Sequence, residues 1–264
     1  MMSFEAKWYG PKYQDEGWVP APRYLMRRAR ILQHLKRMRP GKLVEIGCAS
    51  GALLSELADK GFDCTGVESS DVALSIARRM NGDTIELLCE PQQSWSGTFD
   101  YCMALEVLEH IEDDQTALKK WASWLRPGGA MVLSVPAHPR LWNARDVWAG
   151  HYRRYCRRDL ETAFEDAGLK VEALECYGFP LANILEFIIA RNYRGINLKK
   201  SREQSIDKTK QTAQSGIERS TDVKMFNYYT HFPGSWLLRA MIFIQSLFLK
   251  FDIGNGYLVI AVKR

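Results

Sequence analysis

The stretch Leu43 to Gly51, Leu-Val-Glu-Ile-Gly-Cys-Ala-Ser-Gly, constrains this chain more than any other. An apolar strand runs into a turn of small residues, and a helical pattern follows from Ala52. In an α/β fold that order aims backbone N–H groups and a helix N-terminus at a ligand. The glycines are Gly47 and Gly51, whereas Ala49 and Ala52 stand where a G-x-G-x-x-G dinucleotide fingerprint has its second and third glycines. Glu45, just ahead of the first glycine, would repel a pyrophosphate and suits a cationic ligand. A nicotinamide oxidoreductase is therefore disfavoured. On this stretch alone, a tight structural turn without a ligand remains an alternative.

Strands and helices alternate from there. Strands are expected at Lys42–Ile46, Cys64–Val67, Thr84–Leu88, Phe99–Ala104, Ala130–Val135 and Lys170–Cys176, and a last one at Gly256–Val262. Helices are expected at Pro22–Met38, Ala52–Lys60, Asp71–Met80, Asp113–Leu125 and Arg158–Ala167. Such alternation predicts a mostly parallel sheet covered on both faces. Two amphipathic segments, Phe179–Tyr193 and Trp236–Phe251, precede the last strand, and the polar run 197–222 between them reads as a mobile loop. The expected organisation is a leader and helix (1–40), an α/β core (41–178), a helical insertion or cap (179–255) and a final strand (256–264).

The chain has 264 residues with 46% hydrophobic content, ample for one core with an appended subdomain. Its six cysteines form no CxxC pair, so neither a disulfide framework nor a zinc site is expected, and a reducing cytoplasm suits them. The first residues lack the apolar core of a signal peptide. Trp236–Phe251 is too short and too interrupted by charge to span a bilayer. The net charge of +5 is mild. Its concentration in Arg23, Arg27, Arg28, Arg30, Lys36, Arg37 and Arg39 reads equally as a solvated helix face or a phosphate-binding surface.

Glu45 to Gly51 resembles motif I, E-x-G-x-x-x-G, of class I S-adenosylmethionine (SAM)-dependent methyltransferases, whose cofactor carries an ammonium and a sulfonium. Four further segments fit that resemblance in order. Gly66-Val67-Glu68 closes the second strand, where an acidic residue reaches ribose hydroxyls. Phe99 to His110 is similar to the family's F-D-x-V-x-x-x-x-V-L-E-H stretch. Leu125-Arg126-Pro127-Gly128-Gly129 resembles its L-x-P-G-G turn. Cys89-Glu90-Pro91 stands where the family places an acid near the adenine, although the usual D-x-x-x-L-P run is absent. The resemblance covers roughly 43–135 and is nearest the quinone-biosynthesis, type 11 branch of small-molecule methyltransferases. It implies a doubly wound, Rossmann-like seven-stranded sheet with an antiparallel last strand. It further implies SAM as cofactor, held by Glu45, Gly47, Cys48, Ala49, Gly51, Glu68, Ser69, Glu90 and Leu105.

Open α/β sheets bind ligands at the carboxyl ends of their strands. That places the acceptor near Pro136 to Tyr155, which resembles a P-A-x-x-x-L-W-x-x-x-D…G-H-x-R-R-Y segment of the branch. His138, His151 and Glu106 are the candidate catalytic groups. Trp18, Trp142, Asp146, Tyr152, Arg153, Arg154 and Tyr155 are candidate acceptor contacts, with Arg153 or Arg154 gripping an anion. A self-contained network, in which Asp146 pairs an arginine, is the competing reading. His110 reads as structural. Tyr9, Tyr13 and Trp18 are candidates for a lid over the cofactor. No metal ligand spacing is legible. The expected partner is a small-molecule acceptor rather than nucleic acid. The apolar segments 179–193 and 236–251 line a greasy pocket, dock on a membrane surface or pack on a second copy.

Overall fold

A computed structural model describes residues 6–14, 17–200 and 220–264. Short helix α1 (Ala6–Tyr9) precedes α2 (Pro22–Leu35). Then β1 (Lys42–Ile46), α3 (Ala52–Ala58), β2 (Asp63–Val67), α4 (Asp71–Asn81), β3 (Glu86–Leu88) and β4 (Phe99–Leu105) alternate. They are followed by α5 (Asp114–Trp124), β5 (Leu125–Pro136), α6 (Ala144–Ala149), α7 (Arg157–Asp166) and β6 (Leu169–Tyr177). Helices α8 (Leu181–Lys200), α9 (Ser220–Thr230) and α10 (Gly234–Phe248) lead to β7 (Gly256–Lys263).

The seven strands lie in the order β3-β2-β1-β4-β5-β7-β6. Strands β1 to β5 pair in parallel, and β7 inserts antiparallel between β5 and β6. The order reverses between β1 and β4, and that switch point is where a doubly wound sheet opens a crevice. Successive residues of each central strand point to opposite faces. Leu43, Met103 and Val132 join Ile31, Leu35, Leu54 and Leu57 on one side. Val44, Cys102 and Met131 join Trp121, Trp124, Leu160 and Phe164 on the other. A third apolar cluster, with Tyr9, Val19 and Leu25 against Phe226 and Leu238, ties the leader to α9 and α10.

Three local expectations need correction. Pro127-Gly128-Gly129 is not a free turn but lies within the extended run of β5, where the register slips between the Phe99–Leu125 and Tyr101–Ala130 pairs. The extra residues are absorbed as a bulge, which Gly128 permits at φ 75°. Helix α6 was not anticipated; a capping box between Asn143 and Asp146 starts it and Gly150 ends it at φ 77°. The polar run expected as a loop over 197–222 keeps helical backbone as far as Lys200 and again from Ser220, while 201–219 fall outside the described residues. Among the described residues, no helix is long and apolar enough to cross a membrane.

Candidate functional site

The turn after β1 is built by sterics. Gly47 (φ 65°), Ala49 (φ 49°) and Gly51 (φ 68°) are left-handed. A Cβ on Gly47 would come within 2.5 Å of Val107 Cγ2, and one on Gly51 within 2.6 Å of the Asn81 amide nitrogen. The turn is fastened to the end of β2 by Glu68, whose carboxylate accepts from the backbone N–H of Ala49 (2.9 Å) and of Ser70 (2.8 Å). Each carboxylate oxygen keeps a further lone pair for a hydroxyl donor. Cys48 is buried against the sheet, whereas Ser69 and Glu90 are exposed and Leu105 closes β4 from within.

Glu45 is buried, and its Oε2 has no hydrogen-bond partner among the described residues. Burial pushes its carboxyl up to about 8; nearby Arg27 counteracts part of this and Glu68 adds to it. The Tyr24 hydroxyl and Arg23 Nε are likewise buried without partners, and Glu45 and Tyr24 lie close enough to interact electrostatically. An acceptor and two donors left in this state cost stability unless a ligand completes them. The amino-acid end of SAM, an ammonium and a carboxylate, matches that donor and acceptor set.

Glu106 sits past the end of β4 at φ 60°. It receives Arg23 Nη2 at 2.8 Å, Arg27 Nη1 at 3.4 Å, the Tyr177 hydroxyl at 3.0 Å and the Ser134 hydroxyl at 3.1 Å. Burial resists its ionisation, but Arg23, Arg27 and the two hydroxyls prevail and hold it at about 2. Arg30 grips Glu175 with two 2.8 Å bonds, His34 adds a third at 2.9 Å, and Arg28 pairs with Glu56. Four arginines of α2 that read as a basic face thus point inward at carboxylates. Sequence reasoning missed Arg23, Tyr24, Arg27, Ser134 and Tyr177. The signal was present: Arg23, Arg27, Arg30 and His34 recur at intervals of four, three and four, one face of a helix.

The loop after β5 contains two groupings. Asp146 accepts from Arg154 Nε at 2.8 and 2.9 Å and lies 2.9 Å from His151 Nδ1; Arg154 continues to Glu186 at 3.0 Å. Burial resists the ionisation of Asp146, yet His151 and Arg154 draw it below the usual carboxylate range. Arg153 pairs with Asp114, which also accepts from the Tyr155 hydroxyl at 2.8 Å. Asp146 and Arg154 are thus paired within the first grouping, and Arg153 and Tyr155 share Asp114 in the second. His138 is buried between Cys176 Sγ (3.7 Å) and the Tyr257 hydroxyl (3.4 Å). Trp142 is exposed, Tyr152 donates its backbone N–H to the Glu109 carbonyl, and Trp18 is buried edge-on against Tyr24. Tyr9 packs on Phe226, and Tyr13 bridges to Trp18. A cavity of about 300 Å³ opens between the segment leading into α6 and helix α8, lined by Leu141, Asn143, Glu186, Phe187 and Asn255 among others.

Comparison with known proteins bears on the family and the fold. A family model described as a methyltransferase domain matches residues 21–174, more than half of the chain. A ubiquinone biosynthesis O-methyltransferase of Pectobacterium atrosepticum is 28% identical over 117 residues, covering 42% of this chain and 48% of that protein. One of Idiomarina loihiensis is 30% identical over 112 residues, 40% of this chain and 46% of that protein. The chain thus matches about half the length of these curated relatives. The structure of Haemonchus contortus phosphoethanolamine N-methyltransferase 2 in complex with SAM superposes with a TM-score of 0.55 at 17% identity. That match covers 90% of this chain and 52% of the other, and it is a likeness of fold. With the E-x-G-x-x-x-G turn, the acid at the end of β2 and a 3-2-1-4-5-7-6 sheet in place, the chain belongs to the methyltransferase domain family, in its class I SAM-dependent group.

Proposed function

We propose that this protein transfers the methyl group of SAM to an oxygen of a small acceptor with a substantial apolar part. The observation that carries the reading is the buried Glu45 carboxylate with an open Oε2 beside the Gly47–Gly51 turn. Glu45 takes the ammonium, Tyr24 and Arg23 face the cofactor's carboxylate, and Glu68 accepts from the ribose hydroxyls. Bound SAM supplies an electrophilic sulfonium methyl. In the transfer the acceptor oxygen would form the new C–O bond as the S–CH3 bond breaks with its electrons passing to sulfur, and the acceptor's proton would pass to His151 Nε2 or to solvent. The protein's part is alignment, which is worth ~7–11 kcal/mol when the reactants are held in line.

Oxygen as the acceptor atom is supported by the O-methyltransferase relatives. Its apolar character is supported by α8 and α10, whose outward Ile184, Phe187, Ile188, Trp236, Leu237, Phe243 and Leu247 are all more than half exposed. We read these helices as a cap whose outer face rests on a lipid surface, from which a lipid-linked acceptor is drawn. A nucleic-acid acceptor is disfavoured, since four of the seven basic residues that could support it, Arg23, Arg27, Arg28 and Arg30, are engaged internally. Of the three candidate bases, Glu106 is ion-paired and His138 is enclosed. His151 keeps a lone pair on Nε2, because Nδ1 faces Asp146. It is the group able to take a proton or a cation.

The test is calorimetric titration of the chain with SAM, followed by release of S-adenosylhomocysteine on adding phenolic acceptors with and without an isoprenoid tail. SAM binding that weakens in Glu68→Ala, with turnover favouring the tailed acceptor, is expected. No SAM binding, or unchanged affinity in Glu68→Ala, overturns the cofactor placement.

A further inference from the structure

The insertion leaves the sheet at Tyr177 and returns to it at Gly256, so its two feet stand side by side. Cys176 and Tyr257 are direct partners across the antiparallel pair of β6 and β7. Strand β7 also pairs with β5, which brings the segment after Pro136 to the same spot. Asp252 lies in the turn between α10 and β7. One ligand-type atom each of His138, Cys176 and Asp252 thereby falls within 4.8 Å of the others. We propose that these three residues bind one zinc-type divalent cation, which staples both feet of the insertion to the post-β5 loop.

Donor spacing is the first support. Cys176 Sγ lies 3.7 Å from His138 Nε2. Tetrahedral ligands with bonds of about 2.3 Å to sulfur and about 2.0–2.1 Å to nitrogen stand ~3.6 Å apart. The thiol and the imidazole are therefore already set at the separation that a shared ion imposes. Both are buried, whereas Asp252 is exposed, so an ion enters from the aspartate's side.

The outer shell is the second support. The Tyr257 hydroxyl donates to Asp252 Oδ1 at 2.6 Å, and its oxygen stands 3.4 Å from His138 Nδ1 as an acceptor. A proton on Nδ1 leaves the lone pair on Nε2, the nitrogen that faces the thiol. One hydroxyl thus orients two of the three ligands, as the outer-shell partners of metal-bound histidines and carboxylates do. A third support is the backbone of His138, at φ 61° and ψ 101°. A non-glycine residue there stores about 1–3 kcal/mol of strain, which persists where a side chain must be aimed. The His138 N–H to the Tyr155 carbonyl (2.7 Å) and the Ala137 N–H to the Asn255 carbonyl (3.0 Å) hold it in place.

A thiolate, an imidazole and a carboxylate suit Zn²⁺ or Co²⁺ and not Mg²⁺ or Ca²⁺, which prefer all-oxygen sites. On binding, the S–H bond of Cys176 gives way to a sulfur–metal bond and the proton passes to solvent. The fourth position is left to water. Tyr177, the next residue, points to the opposite face of β6 and donates its hydroxyl to Glu106. An ion on Cys176 therefore fixes the strand end that also braces Glu106. No spacing rule reveals this set, because its members come from three separate segments of the chain.

The experiment titrates the chelator-treated, thiol-reduced full chain with Co²⁺ by absorption, then adds Zn²⁺. One equivalent with a thiolate-to-cobalt charge-transfer band is expected, and Zn²⁺ should abolish the band by displacement. Cys176→Ser should lose the band, and its affinity and that of His138→Ala should fall by about 100-fold or more; Tyr257→Phe should lose about 10–100-fold. Cys89→Ser, which removes the exposed thiol, should keep the band. Saturating Zn²⁺ should raise the melting temperature of the wild type and not that of Cys176→Ser. Far-UV circular dichroism checks that the buried variants fold, and Asp252→Ala, at an exposed turn position, stands in if they do not. The proposal is overturned by the absence of a stoichiometric charge-transfer band, by a band that survives Cys176→Ser or disappears in Cys89→Ser, or by wild-type affinity in Asp252→Ala.

Discussion

Arg23 and Glu106, 83 residues apart in the chain, meet at 2.8 Å and lock the N-terminal helix onto the exit of β4. Both are mostly buried, with side-chain exposures of 17% and 20%. Removing the arginine leaves the carboxylate with the longer Arg27 contact as counter-charge and the hydroxyls of Tyr177 and Ser134 as donors. Arg23→Ala should cost about 2–3 kcal/mol of stability, read as a lower midpoint in urea with an unchanged slope. An unchanged midpoint would show that Arg27 carries the pairing alone.

Glu106 and Glu175 are among the carboxyls that set the acid limit of the fold, with Glu186 and Asp146. For Glu106 and Glu175, burial opposes ionisation, and the cations of α2 outweigh it, holding each at about 2 against an ordinary 4.5. A depressed carboxyl gives stability that is complete above its unfolded value and lost as pH falls toward its folded value. Their contribution to stability, read from the melting temperature, should be constant from neutrality to about pH 5 and be lost steeply below about pH 4.5, whereas Glu45 and Glu109, raised by burial, add stability as pH falls from neutrality toward 4.5. Glu175→Gln should flatten part of that limb. A profile of equal steepness in the variant would place the acid sensitivity elsewhere.

Glu45 works with the opposite sign. Burial raises it to about 8, so the free protein carries it protonated at neutral pH. Pairing with an ammonium requires the carboxylate, so binding releases a proton. SAM affinity should rise roughly tenfold per unit between about pH 5.5 and pH 7.5. Glu45→Gln should abolish the slope and cost about 1.5–3 kcal/mol of binding near pH 8. A slope that persists in the variant would assign the proton to another group.

Phe187, Phe232 and Trp236 are at least two-thirds exposed on α8, the α9–α10 connection and α10. If this face rests on lipid, the chain should co-sediment with phosphatidylcholine vesicles. Changing all three to serine should reduce partitioning by more than about 100-fold, since each buried large side chain contributes about 1.5–3 kcal/mol. SAM affinity should not change. Equal partitioning of both proteins would remove the membrane-facing reading.

What the sequence made legible was local. The turn from Glu45 to Gly51, the acid at Glu68 and the strand–helix alternation each depend on spacing within a few residues, and all lie where expected. The shared face of Arg23, Arg27, Arg30 and His34 was legible on α2, but its inward direction was not, because the partners Glu106 and Glu175 lie 83 and 145 residues away. Charge on a helix reads as solvent-facing until its counter-charges are located in space. Helix α6 escaped because six residues are too few to show a period, although Asn143 and Asp146 mark its start. His138 was visible as a candidate, but its place beside Cys176 was not.

The third apolar cluster has a consequence for how acceptor specificity can be changed. Tyr9, Val19 and Leu25 of the leader interdigitate with Phe226 and Leu238 of the insertion, and the Tyr229 hydroxyl donates to the Pro20 carbonyl. Leader and insertion, far apart in the chain, share one apolar seam. A chimaera that exchanges either segment alone leaves mismatched surfaces at the seam, so the two must be transplanted together to move a specificity from one relative to another.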